Sequence, residues 1–204
     1  MFLIVRPRSS SRAGRRRGDV DSGSVTCKPQ IATAFVETMG GGLFATAIRE
    51  AERVQDDDDD KVDLGLRVLR RLVDELPTQP WQLRLDGVNH HGSYLAVEAM
   101  VIGETGPRVP LAPAARPDDR HIDVVLIRDE DRDPLREHFE ARLAAGAQPS
   151  PQFEVHRCHR AELEPLTPGC MRVDDELWDV SSWTGAGQAV TTVAPVAIEI
   201  LAPR

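Results

Sequence analysis

Three cysteines in 204 residues, at positions 27, 158 and 170, are odd in number and too widely spaced for a disulfide framework. A reducing, cytoplasmic setting is therefore the expected one. No apolar run approaches the ~18 residues that cross a bilayer, and the block from Met1 to Val5 is too short for a signal-peptide core. Positive charge is also scarce: 25 Lys and Arg stand against 33 Asp and Glu, a net charge of −8. Such a balance argues against a nucleic-acid partner, whose phosphates call for a basic surface. The chain has no Gly-x-x-x-x-Gly-Lys-Ser/Thr loop, no Gly-x-Gly-x-x-Gly turn, no Gly-x-Ser-x-Gly elbow, no His-Glu-x-x-His pair and no repeat period. What remains is globular usage, 41% hydrophobic and 28% charged, in a length that suits one generous domain or two small ones.

The first segment carries Arg6, Arg8, Arg12, Arg15, Arg16 and Arg17, with no acidic residue before Asp19. Residues 1–29 read as a disordered basic arm and 30–204 as the folded domain. The arm could touch anionic lipid headgroups peripherally, but a solvated tail is the simpler reading. Gln30 to Val36 suits a strand, Gly40-Gly41-Gly42 a turn, and Leu43 to Ile48 the start of a helix. Five aspartates, Asp56 to Asp60, cannot pack, so a solvated acidic loop separates that helix from a second with its apolar stripe at Leu64, Leu66, Val68, Leu69, Leu72 and Val73. With no turn glycine, the run does not match a calcium loop.

After Pro80 the period changes to two. Trp81, Leu83 and Leu85 alternate with Gln82 and Arg84, and Asp86-Gly87 signals a hairpin. Strands are expected over Ser93–Ile102 and Asp123–Ile127. A helix follows from Asp133-Pro134, with Leu135, Phe139 and Leu143 on one face and Gly146 as its stop. Further strands are expected over Phe153–Cys158, Cys170–Val173, Leu177–Val180 and Gln188–Leu201. Many strands joined by hairpins, with few helices, predict a mainly β, α+β fold: an antiparallel β-sandwich with a helix pair near the N-terminus and one further helix.

Four places could carry chemistry. The triple glycine could offer backbone N–H groups to a phosphate, against the simpler reading of a tight turn. His156, Cys158, His159 and Cys170 suggest zinc, but in a continuous strand His156 and His159 point to opposite faces, which disfavours convergence. His90-His91 reads as a polar hairpin loop. The turn Arg116-Pro117-Asp118-Asp119-Arg120-His121-Ile122-Asp123 offers a carboxylate flanked by loop carbonyls, a donor set for a hard cation such as magnesium. Val173-Asp174-Asp175-Glu176 places three carboxylates at a hairpin tip, where they could raise one another's pKa and supply a general base; a solvated turn is the default.

Taken in order, the run from Phe35 through the glycines to Ile48, Trp81-Gln-Leu-Arg-Leu-Asp86-Gly87, Pro113-Ala-Ala-Arg-Pro-Asp118-Asp119 leading to Ile122–Ile127, Val173–Glu176 and a closing apolar strand resembles the C-terminal domain of the diacylglycerol kinase and sphingosine kinase family. The resemblance spans about Gln30 to Pro203. It implies a β-sandwich that receives a lipid and completes a cleft with an α/β domain holding ATP through a Gly-Gly-Asp-Gly-Thr loop. That loop is not in this sequence, so the resemblance implies the substrate-side half of a lipid kinase, with the ATP-binding half as a separate domain or a homo-oligomer completing the site. It assigns Glu176 as the base that deprotonates the lipid hydroxyl, with Asp174 beside it and Asp175 in place of a glycine. It also implies a structural Mg²⁺ on Asp119 and the carbonyls of Arg116 and His121, with Arg120 in place of a glycine. The other function considered is a non-catalytic lipid-binding or regulatory module.

Overall fold

A computed structural model describes residues 19–27, 31–54, 60–144, 151–167, 169–179 and 189–199. The elements in order are β1 (Asp19–Cys27), β2 (Ile31–Phe35), β3 (Thr38–Gly42), α1 (Leu43–Val54), α2 (Lys61–Glu75), β4 (Gln79–Leu85), β5 (Val88–Asn89), β6 (Gly92–Tyr94) and β7 (Ala96–Met100). There follow β8 (Glu104–Thr105), β9 (Val109–Pro110), β10 (Ile122–Ile127), α3 (Arg132–Leu143), β11 (Glu154–Cys158), β12 (Arg160–Pro165), β13 (Cys170–Val173), β14 (Glu176–Asp179) and β15 (Ala189–Glu199). No helix among the described residues is long and apolar enough to cross a membrane.

Two sheets form the expected antiparallel sandwich. The first runs β2-β1-β15-β12-β4-β5, with β6 also on β4; the second runs β11-β10-β7-β3-β13-β14. Trp81, Leu83 and Leu85 of β4 turn inward with Ala161 and Leu163 of β12, and meet Met39, Val97, Val124 and Leu126 of the second sheet. Period two explains this directly, since alternate residues of a strand point to one face. The second sheet is covered on its other face as well. There Leu95, Ala96, Met100, Val125 and Ile127 pack on Phe44, Leu66, Leu69 and Val73 of α1 and α2 and on Leu135 and Phe139 of α3. Hence β7 and β10 are unbroken apolar runs except for Glu98 and Asp123, whereas β4 alternates.

Several boundaries depart from expectation. Asp19–Cys27, read as part of the arm, is a strand between β2 and β15; residues 1–18 lie outside the described set. The glycine turn is instead β3, an inner strand between β7 and β13. Glycine is needed there because a Cβ at Gly40 would collide with the Val97 carbonyl oxygen and the Glu98 carboxylate, and Gly42 takes φ +89° as the chain enters α1. The single strand expected over Ser93–Ile102 is two: β6 belongs to the first sheet and β7 to the second. Leu95 makes the crossing, its N–H donating to Ile127 O at 2.7 Å and its carbonyl accepting from Leu43 N–H at 2.9 Å. Asp60, counted within the acidic loop, caps α2 by accepting from the N–H groups of Val62 and Asp63; residues 55–59 are outside the described set. Asp86-Gly87 is the hairpin turn expected, both residues at positive φ.

Candidate active-site hairpin and its cavity

β13 and β14 close through Val173 paired with Glu176, leaving Asp174-Asp175 as the tip. Asp174 is the left-handed residue of that turn, at φ 51°. Its carboxylate accepts from the backbone N–H groups of Val36, Glu37 and Thr38 at 3.2, 2.9 and 3.1 Å, and its own N–H donates to Thr38 O at 2.7 Å. Both oxygens are thereby committed to the β2–β3 link, which ties the hairpin to that link. Asp175 and Glu176 are exposed.

Beneath the tip lies a buried ion pair. Arg172, 1% exposed, reaches Glu98, 0% exposed, at 3.0 Å; Thr38 Oγ1 donates to Glu98 at 2.9 Å, and Arg172 also bonds the Thr105 hydroxyl and the Asp174 carbonyl. Burial pushes the Glu98 carboxyl above its ordinary pKa, and the facing guanidinium opposes that push. Glu37, next to the tip, is also raised, by desolvation first and then by the Asp174 and Asp175 charges.

A cavity of about 400 Å³ opens against this hairpin, between α1 and α2. Phe44, Ile48, Leu64 and Leu69 give it an apolar wall, while Arg172 and Asp175 stand at its polar side. The Arg172 guanidinium lies 5.8 Å over the Phe44 ring, linking the ion pair to that wall. Cavity, Glu98, Arg172 and Glu37 all escaped the sequence reading. The available signal was two opposite charges, Glu98 and Arg172, each inside an apolar strand.

The other expected site assembles differently. Asp119 and His121 share a turn in which Arg120 takes φ 58°, a conformation that favours glycine. Asp119 Oδ1 accepts from the His121 N–H at 3.0 Å, its Oδ2 accepts from Arg157 Nη2 at 2.8 Å, and His121 Nδ1 lies 2.6 Å from the Asp119 carbonyl oxygen. The Arg116 side chain pairs with Asp118, at 3.4 Å. Both oxygens of the carboxylate expected to serve magnesium are thus occupied, one by a guanidinium and one by the His121 N–H. The zinc grouping also separates: His156 stands beside Glu154 and His90, and His159 lies by Arg120 and His121. Cys158 is buried, its thiol pushed up to about 12 by desolvation and by Asp86 and Asp123.

No protein-family profile and no curated protein matches the chain. Solved structures do. One, described as a diacylglycerol kinase from Bacillus anthracis str. Sterne, is 14% identical with TM-score 0.55 over 87% of this chain and 54% of that one. Two more from the same organism, whose assignment as diacylglycerol kinases is itself provisional, give TM-scores of 0.57 and 0.56 at 14% and 12% identity. Each covers 88% of this chain, which spans 55% and 53% of theirs. The fold is therefore one found in diacylglycerol kinases, and this chain corresponds to about half of such a protein.

Proposed function

We propose that the chain is the lipid-receiving half of a lipid kinase. The observation that carries this reading is the apolar cavity between α1 and α2, bordered by Asp175 and hence adjoining Glu176 in the chain. Its volume of about 400 Å³ is within the range of small-molecule sites. An acyl chain of a lipid such as diacylglycerol enters the cavity, and its free hydroxyl lies at the hairpin. Glu176 accepts the hydroxyl proton, the oxygen attacks the γ-phosphorus of ATP, and the bond to the ADP oxygen breaks. ATP and its Mg²⁺ are held by an α/β domain, since positioning and charge neutralisation of the phosphates dominate such transfers. Asp174 and the Arg172–Glu98 pair keep the hairpin in place.

A second reading, a lipid-binding module without catalysis, is favoured by one feature. Asp175 and Glu37 add carboxylates around the tip, where phosphates would approach, and like charges repel. The test pairs purified chain with a separately supplied ATP domain and a short-chain diacylglycerol. Phosphorylation that falls by about 10²-fold or more in Glu176→Gln, while lipid affinity holds, supports the kinase reading. Equal phosphorylation after Glu176→Gln removes Glu176 as base. Lipid binding without any phosphorylation supports the module.

A further inference from the structure

At the edge of the second sheet farthest from the active-site hairpin, two imidazoles and a carboxylate converge. Glu154 and His156 are two apart on β11 and so project to the same face. His90 comes from the link between β5 and β6, part of the other sheet. Its backbone is held at both ends: the N–H donates to Leu83 O at 2.9 Å, and the carbonyl accepts from the Tyr94 hydroxyl at 3.2 Å. The His90 and His156 rings lie with centroids 4.2 Å apart, and His156 Nε2 is 2.6 Å from Glu154 Oε1. One ligand atom from each of the three residues falls within 4.8 Å of the others.

The carboxylate is oriented from behind. Arg128 Nε and Nη2 both donate to Glu154 Oε2, at 2.9 and 2.7 Å, and Arg128 itself lies 4.9 Å over the Tyr94 ring. Oε2 is thereby occupied and Oε1 is turned to the histidines. Outer hydrogen bonds of this kind fix the direction of metal-binding carboxylates. A hydrogen-bonded His–Glu pair alone would account for Glu154 and His156, but it does not call for a second imidazole drawn in from the opposite sheet.

We propose that His90, Glu154 and His156 bind a divalent transition-metal ion of the zinc class. Two imidazoles select against magnesium and calcium, which prefer oxygen, and suit zinc with a water in the fourth position. The ion ties edge strand β11 to the β5–β6 link, clamping the two sheets together away from the catalytic edge.

The test uses untagged full chain stripped with a chelator, titrated with Zn²⁺ against a chromophoric competitor and separately with Co²⁺. Saturable uptake at about 10 µM or tighter is expected, with visible cobalt absorption of a low-coordinate site. His90→Gln, His156→Ala and Glu154→Gln should each weaken uptake by about tenfold or more, and zinc should raise their unfolding temperatures less than that of the parent chain. His159→Ala, in the neighbouring imidazole pair, should leave uptake unchanged. Circular dichroism of the metal-free variants separates lost ligands from lost fold, and Glu154→Gln preserves side-chain size. Uptake undiminished in the His90→Gln/His156→Ala double variant, or a strong sulfur-to-cobalt band placing the ion on a thiol, overturns the proposal. So does the lack of saturable uptake below about 100 µM.

Discussion

The two acidic turns of this molecule look alike in sequence and are built oppositely. At Asp119 the carboxylate meets a surface guanidinium, Arg157, that is half exposed. At Asp174 it meets three backbone N–H groups, above an ion pair with almost no solvent contact. One turn is neutralised; the other is held by its backbone while Asp175, at the cavity, and Glu176, next in the chain, stay exposed. Where carboxylates cluster, the group that satisfies each one decides whether the turn is structural or is left able to react.

Removing the support under the late hairpin should have the largest effect. Arg172→Met leaves Glu98 buried and uncompensated and should cost about 3–5 kcal/mol in denaturant unfolding. Adding Glu98→Leu should recover most of that loss; a double variant as unstable as the single one would mean that the pair acts otherwise. Next, Asp174→Ala strands three backbone donors and should cost about 2 kcal/mol, whereas Asp119→Ala, which breaks a screened pair, should cost less than about 1 kcal/mol. Equal losses at the two aspartates would erase the contrast drawn between the turns.

The smallest effect is a pH slope. Glu37 has a folded-state pKa above its unfolded value, so its contribution to stability is fully present below the unfolded pKa and is lost as pH rises through the folded one. Glu37→Gln should flatten that decline in a series of unfolding curves between pH 4 and neutrality. The same slope in parent and variant would assign the titration elsewhere.

Periodicity made much of the sandwich legible. Alternation in Trp81–Leu85 gave a strand with one wet face, Asp123–Ile127 read as a further strand, and Asp86-Gly87 gave a turn that takes positive φ twice. Gly40-Gly41-Gly42 misled because glycine marks close approach as well as turning. In β3 it is the Val97 carbonyl and the Glu98 carboxylate, both distant in sequence, that exclude a side chain. β12 went unseen although Ala161 and Leu163 alternate with Arg160 and Glu162. At the site, Asp174 and Glu176 were visible as a hairpin tip. The division of labour between them was not, because it depends on which backbone amides fold over the tip. The histidines show the same limit: His156 finds its partner His90 only when two sheets close.

The pairing of β1 with β15 sets an order of events. Position 19 meets position 199, and among the described strands β15 joins β1 to β12. Closing so long a loop costs entropy before contacts compensate it, and non-local pairing of this kind slows folding. On the ribosome, β1 emerges on the order of ten seconds before its partner strand, at about 5–20 residues per second. Through that interval β1, joined in the last few seconds by β12, presents an open strand edge, a template for pairing with another chain. A nascent chain stalled before β15 is thus the form most exposed to aggregation, and the one on which a chaperone has the most to cover.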